Sequence, residues 1–248
     1  MRILALLLLL VLPATAQLNI SKAPFVAGVL KPSGGGGGSP AADVFTETFN
    51  ATGYDLGAAP KWYESGTVNE DFSTTGLSME GAQCLEIDGH TANGETGYFT
   101  WGSTTVSNSG YFYFRCTGLP TTLSAIARYK DSFDVLAKLE IFSDGTLYIR
   151  NGTGSNPGTT GAMTTNTTYR VWFDYQKGSG ANGVATAAFS TTATRPTSGA
   201  NFVQTTDGTA TVNANAFYLY CEKTAGSNQT NYFDNVQIAT FTIGDNPP

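Results

Sequence analysis

The sequence predicts an all-β protein, on three observations. Thr is the commonest of the 248 residues, with 36 copies, and Phe, Tyr and Trp together make 12%. There are 29 glycines and 10 prolines, and charged residues make only 13%. Thr and aromatic residues suit a pleated, half-buried surface, while Gly and Pro suit the turns between strands. A disordered chain would hold fewer aromatics and more charge. A helical bundle would be rich in Ala, Glu, Lys and Leu.

The chain opens with Met1-Arg2, an apolar run from Ile3 to Leu12, then Pro13 and Ala14-Thr15-Ala16. A charged start, a short apolar core and a small-x-small site are the marks of a signal peptide. Residues 1-16 are therefore expected to be removed, giving a secreted or cell-surface protein. The run is too short to span a bilayer, which takes about 20 residues. Residues 17-44 hold a mildly apolar segment, 17-30, followed by five glycines, Gly34 to Gly38, between Pro32 and Pro40. That composition is a flexible tether. The 17-30 segment reads as a disordered N-terminus or as a strand that docks on a protein partner. Residues 45-243 form one unit without a second such linker, and 244-248 read as a tail.

Strands follow in order from alternation and turn residues. Phe45 to Phe49 comes first, ended by Asn50 to Gly53. Cys84 to Asp88 stops at Gly89, and Gly97 to Trp101 is short. Tyr111 to Cys116 alternates strongly and ends at Gly118-Leu119-Pro120. Ala125 to Lys130 and Val135 to Phe142 follow. Ser143-Asp144-Gly145 is a hairpin turn, because Asp-Gly tolerates positive φ, and Thr146 to Arg150 returns from it. Tyr169 to Gln176 is the clearest strand. Gly183 to Ser190, Phe202 to Thr205, Ala216 to Glu222 and Asn231 to Phe241 complete about a dozen.

Cys84, Cys116 and Cys221 are the three cysteines. Alternation turns Cys116 and Cys221 to the core and places Cys84 with Glu86 and Asp88. Buried thiols and one disulfide are both compatible with this placement. There is no Cys-x-x-Cys. The formal net charge is -6, and the 13 Lys and Arg are spread along the chain. Nucleic acid needs clustered cations, so it is not an expected partner.

In order and spacing, these motifs resemble the concanavalin A-like lectin/glucanase superfamily, in particular laminin-G-like domains. The likeness rests on Phe45-Thr46-Glu47-Thr48-Phe49 as first strand and Cys84-Leu85-Glu86-Ile87-Asp88-Gly89 as an early one. Leu139 to Ile149 stands as the central hairpin. Tyr169-Arg170-Val171-Trp172-Phe173-Asp174-Tyr175 is the strand that often carries a Trp, and Tyr232 to Ile238 the closing strand. The resemblance implies a two-sheet antiparallel jelly-roll sandwich, often with glycan bound on the concave face or loop rim.

Candidate ligand residues come from strand faces. On 169-176 one face holds Tyr169, Val171, Phe173 and Tyr175, a core stripe, and the other holds Arg170, Trp172, Asp174 and Gln176. A Trp among polar groups suits a sugar, which has an apolar face and a polar rim. Tyr113 and Arg115, and Glu86 and Asp88, extend the candidate site. Lys138 with Glu140, and Tyr218, Tyr220 and Glu222, are further polar faces. An ordinary solvated sheet face is the plain alternative.

Glycosidases of the superfamily carry three carboxylates on one strand. Glu86-Ile87-Asp88 supplies two, but His90 stands at the next same-face position. Retaining chemistry needs two carboxyls about 5 Å apart. His90 is the only histidine, which disfavours a Ser-His-Asp triad and a multi-His metal site. Calcium is common in the superfamily, and Asp71, Asp131 with Asp134, or Asp234 with Asn235 are the candidate ligands. None forms a defined calcium pattern, so they read as solvated turns. The leading expectation is a secreted, non-catalytic, lectin-like protein that binds glycan or polysaccharide. A structural or adhesion protein docking through 17-30 is the alternative, and a glycoside hydrolase or polysaccharide lyase the third.

Overall fold

A computed structural model describes residues 44-49, 62-65, 70-73, 77, 79-88, 95-105, 107-131, 134-152, 158-222, 229-245 and 247. The leader, the 17-30 segment, the glycine tether and His90 lie outside them. All the described residues belong to the unit Gly36–Pro248.

Among the described residues there are fifteen strands: β1 Phe45–Glu47, β2 Trp62–Ser65, β3 Glu70–Ser73, β4 Cys84–Asp88, β5 Glu95–Thr105, β6 Ser107–Cys116, β7 Leu123–Lys130, β8 Val135–Phe142, β9 Thr146–Asn151, β10 Gly158–Ala162, β11 Tyr169–Gln176, β12 Gly183–Ser190, β13 Phe202–Gly208, β14 Ala214–Cys221 and β15 Thr230–Ala239. They form two antiparallel sheets. One has the order β13-β12-β11-β6-β15-β4-β3, with β1 also paired to β15. The other runs β10-β9-β8-β7-β14-β5-β2.

The core lies between the sheets and follows the sequence period. Tyr169, Val171, Phe173 and Tyr175 all point into it, as do Phe112 and Phe114 from β6 and Phe217 and Leu219 from β14. Tyr129 of β7 is fully buried in the core, and its hydroxyl donates to the Phe173 carbonyl at 3.0 Å. Burial pushes that phenol well above its ordinary pKa. Gly110 makes room for it, since a Cβ there would lie 2.7 Å from the Tyr129 hydroxyl.

The Asp-Gly hairpin forms as expected. Gly145 has φ +86, and Thr146 donates its amide to Asp144 Oδ1 at 2.9 Å. Three strands were not legible in the alternation: β2, β3 and β10. Strand β10 is Gly158-Thr159-Thr160-Gly161-Ala162, an edge strand with half-exposed and exposed side chains and no apolar period.

Cys84, Cys116 and Cys221 are all buried thiols. Burial raises the Cys116 thiol to about 11. Cys84 sits on the outer side of its strand, as its face-mates imply, but its thiol reaches the Leu77 carbonyl at 3.7 Å.

Candidate functional site

The two outer faces of the sandwich differ. On the eight-stranded sheet, the outward side chains Tyr111, Trp172, Ala188 and Ala239 pack with Ile243 into a second apolar cluster, with Phe202 and Phe241 at its edge. Residues after β15 thus run back over this face. The Trp172 indole donates to the Gly244 carbonyl at 3.1 Å, and the Ile243 amide donates to Ser109 Oγ at 3.0 Å.

This corrects the leading site residue. Trp172 is on the outer side of β11, as alternation requires, but it is 0% exposed and offers no ring face to a sugar. Asp174 is corrected too. It is buried, ion-paired with Arg195 and hydrogen-bonded by Ser109 at 2.5 Å and Thr186 at 2.7 Å. Arg195 also donates to the Ile243 carbonyl at 2.7 Å, and its amide to Asp245 at 2.7 Å. Asp174 anchors the covering segment.

The other residues expected in the site form two cross-strand groups on this sheet: Arg170 stands opposite Tyr113, and Arg115 and Glu86 flank Tyr232 in one row. Arg170 stacks over the Tyr113 ring at 5.0 Å and donates to the Thr191 carbonyl at 3.3 Å. Arg115 and Glu86 are half-buried on the same sheet. Asp88 ends β4, with its side chain outside the described residues. Glu86 and Asp88 lie toward one edge of the sheet, and β15 and β6 separate them from Arg170 on β11.

Two of the candidate calcium loops, those of Asp234 and Asp131, have other work. Asp234 is fully buried and accepts amides from Met79 at 3.2 Å, Glu80 at 2.6 Å and Asn235 at 2.8 Å. Three donors aimed at a carboxylate make an anion cradle, the opposite of a cation site. Burial still raises Asp234 to about 6, the amides pulling the other way. Asp131 accepts the Asp134 amide at 2.5 Å, closing the β7–β8 turn. Asp71 is on β3. Among the described residues no group of three or more His, Cys, Asp or Glu is placed to hold a metal ion.

The outer face of the seven-stranded sheet is built differently. Strand register aligns five side chains from five strands in one row: Tyr98, Tyr218, Arg128, Lys138 and Arg150. Their neighbours in sequence, such as Phe99, Phe217, Leu219, Ala127, Leu139 and Ile149, point into the core. In sheets that alternation turns the row outward. The next positions add Tyr220, Glu140, Tyr148 and, just past β14, Glu222.

The rings at one end stack on each other. Tyr98 and Tyr218 are 4.6 Å apart at 9°, and Tyr218 and Tyr220 are 5.8 Å apart at 17°. Lys130 lies over the Tyr218 ring at 4.6 Å and Arg128 over the Tyr220 ring at 4.1 Å. Burial, with Tyr220 and Tyr98 adjacent, raises the Tyr218 phenol to about 12. It is a neutral donor at physiological pH.

Each carboxylate on the face is bracketed by cations. Glu140, its side chain only 2% exposed, pairs with Lys138 and lies 2.8 Å from Arg150 Nε. Glu222 lies 3.1 Å from Arg128 and 4.0 Å from Lys138. Burial acts to raise Glu222, yet Arg128 and Lys138 hold it below its ordinary pKa. Arg150 and Glu222 keep 45% and 40% side-chain exposure, so the face meets solvent.

Two of the polar faces read from the sequence therefore come together here, Lys138 with Glu140 and Tyr218 with Tyr220 and Glu222. Tyr98, Arg128, Lys130, Tyr148 and Arg150 were missed. The signal was present: alternation on Ala125 to Lys130 and Thr146 to Arg150 already puts Arg128 with Lys130, and Tyr148 with Arg150.

No protein-family model matches the chain, and no curated protein matches it. Solved structures do. The chain is similar to the marine PL-14 alginate lyase from Aplysia kurodai, at 11% identity and TM-score 0.59, over 81% of this chain and 100% of that one. It is also similar to an endo-β-1,4-glucuronan lyase from the fungus Trichoderma reesei, at 15% and 0.56, over 79% and 95%. A cellulose-induced protein follows at 14% and 0.52, over 74% and 93%. The chain is a jelly-roll β-sandwich. At these identities the likeness carries the fold alone. In this jelly roll the outer face of the sheet with β11 is covered over Tyr111 and Trp172, and the sheet with β14 carries the polar and aromatic row. Among the described residues no helix is long and apolar enough to cross a membrane.

Proposed function

We propose that the protein is an exported polysaccharide-binding jelly roll whose ligand lies on the outer face of the seven-stranded sheet. The observation that carries this is the cross-strand row from Tyr98 to Arg150, solvent-facing and held in place by a core residue adjacent to each member. Rigid strands hold such groups more closely than loops do. The row combines phenol hydroxyls, guanidinium and ammonium groups, which suit the hydroxyl-rich rim of a sugar chain. Similar proteins named for alginate, glucuronan and cellulose support a carbohydrate ligand. The order of the strand motifs supports the finer laminin-G-like assignment, and the leader-like residues 1-16 support export.

Affinity electrophoresis through gels containing different polysaccharides tests the reading. At least one polymer is expected to retard the protein, and Tyr218→Ala to remove most of the retardation. Mobility unchanged in every gel would end the proposal.

A second reading, cleavage of the polymer by elimination, is favoured by Lys130 standing over Tyr218. Such a step passes the ring proton next to a carboxylate to a base, for which the ionised Glu222 is the group available on this face, forms a carbon–carbon double bond and expels the glycosidic oxygen, which takes a proton. Tyr218 is a neutral phenol able to donate that last proton, and Arg128 and Lys130 would stabilise charge on the carboxylate. Ultraviolet absorbance from an unsaturated product end distinguishes cleavage from binding alone.

A further inference from the structure

The charge on this face runs against the charge of the chain. The whole protein carries -6. The face carries Arg128, Lys130, Lys138 and Arg150 against Glu140 and Glu222, four cations to two carboxylates among the described residues. No described carboxylate lies within ion-pair distance of Lys130, whose recorded neighbour is the Tyr218 ring.

The aromatic end is also unsuited to a neutral sugar. Stacking needs an open ring face, and here the faces of Tyr218 and Tyr220 are taken by each other, by Tyr98 and by the two cations. What the face presents is donors: phenols at one end and cations along the row. Only an acceptor-rich, negatively charged polymer uses all of them.

We propose, resting on the polysaccharide reading above, that the ligand is a carboxylate-bearing polysaccharide lying across the strands, its carboxylates over the Arg128–Lys138–Arg150 row and its hydroxyls at Tyr218. From Tyr218 to Arg150 the row crosses three strand gaps, about 14 Å at the usual spacing. More than one sugar unit spans that distance. Glu140 and Glu222 pair with Arg128, Lys138 and Arg150, and four cations against these two carboxylates leave the face net positive.

The experiment uses the full-length protein and three polyuronates: polygalacturonate, polyglucuronate and alginate, each paired with the same polymer after carboxyl reduction. At least one polyuronate is expected to bind, with loss of binding on reduction. Lys130→Gln and Arg150→Gln are each expected to weaken it about tenfold. Lys177→Gln, which removes a cation elsewhere, is expected to leave it unchanged. These lysine and arginine changes leave Lys138 in place beside buried Glu140, so the fold survives them. With a disaccharide of the same units, Arg150→Gln loses its effect while Lys130→Gln keeps it. Equal binding of a polymer and its reduced form, with Tyr218→Ala abolishing both, would overturn the charge proposal and leave the polysaccharide reading standing. An equal effect of Lys177→Gln would also overturn it. Failure of every polymer, acidic and neutral, would sink both.

Discussion

The Trp172 indole donates a hydrogen bond to the Gly244 carbonyl at 3.1 Å, joining the centre of the eight-stranded sheet to the end of the chain. The same segment places Ile243 on Trp172 and Tyr111, so a residue that reads as a sugar platform is part of a small second core. Trp172→Ala is therefore expected to cost about 3–5 kcal/mol of stability by loss of packing and a cavity. Urea unfolding measures it. A variant as stable as the parent, with altered glycan binding, would restore Trp172 to the site.

Asp174 and Arg195 make the polar half of that clasp. Both are nearly buried, at 12% and 8% side-chain exposure. Removing one partner strands the other, typically at about 3–5 kcal/mol. Asp174→Ala is expected to fall in that range in the same assay and Arg170→Ala, a half-exposed neighbour, below about 1 kcal/mol. Equal losses would show that the ion pair is not the anchor.

Asp234 gives a pH dependence. Its pKa rises from 3.8 to about 6 on folding, chiefly through burial. The native state then holds more protons than the unfolded chain between these values. Stability from this group is full below about 4 and is lost as pH rises to about 6, by about 3 kcal/mol. Asp234→Asn is expected to flatten that part of the stability–pH profile. A stability that rises through the window in the parent, unchanged in the variant, would contradict the assignment.

On the open face the buried and exposed charges separate in the same way. Arg150, at 45% exposure, is expected to contribute less than about 1 kcal/mol to stability. Glu140→Ala, which removes a buried carboxylate and leaves Lys138 half-buried beside it, is expected to cost about 3 kcal/mol. Thermal denaturation of the two variants decides between this and a face of purely surface charges.

Much of the fold was legible because it is written in local periods. The core stripe Tyr169, Val171, Phe173 and Tyr175 follows from alternation alone, and the turn at Asp144-Gly145 from the φ that Gly145 adopts. Strand β10 was not legible, since a Gly-Thr edge strand buries little and leaves no pattern. The leading site residues, Trp172 and Asp174, failed for a different reason. Alternation says which side of a sheet a residue faces, and it was right for Trp172. Whether a distant segment then covers that side is a tertiary fact, carried by residues such as Ile243 and Gly244. Likewise, Tyr98, Tyr218, Arg128, Lys138 and Arg150 come from five strands, and only the pairing register sets them in a line.

The most direct test of the account compares the two outer faces in one titration. Calorimetry with the polymer that binds best would be run on Lys130→Gln and Tyr218→Ala from the seven-stranded sheet, and on Tyr113→Ala and Arg170→Gln from the eight-stranded one. The account predicts at least about tenfold weaker binding for the first pair and parental affinity for the second. Loss of binding in the second pair, with the first unaffected, would place the ligand on the other sheet and contradict it.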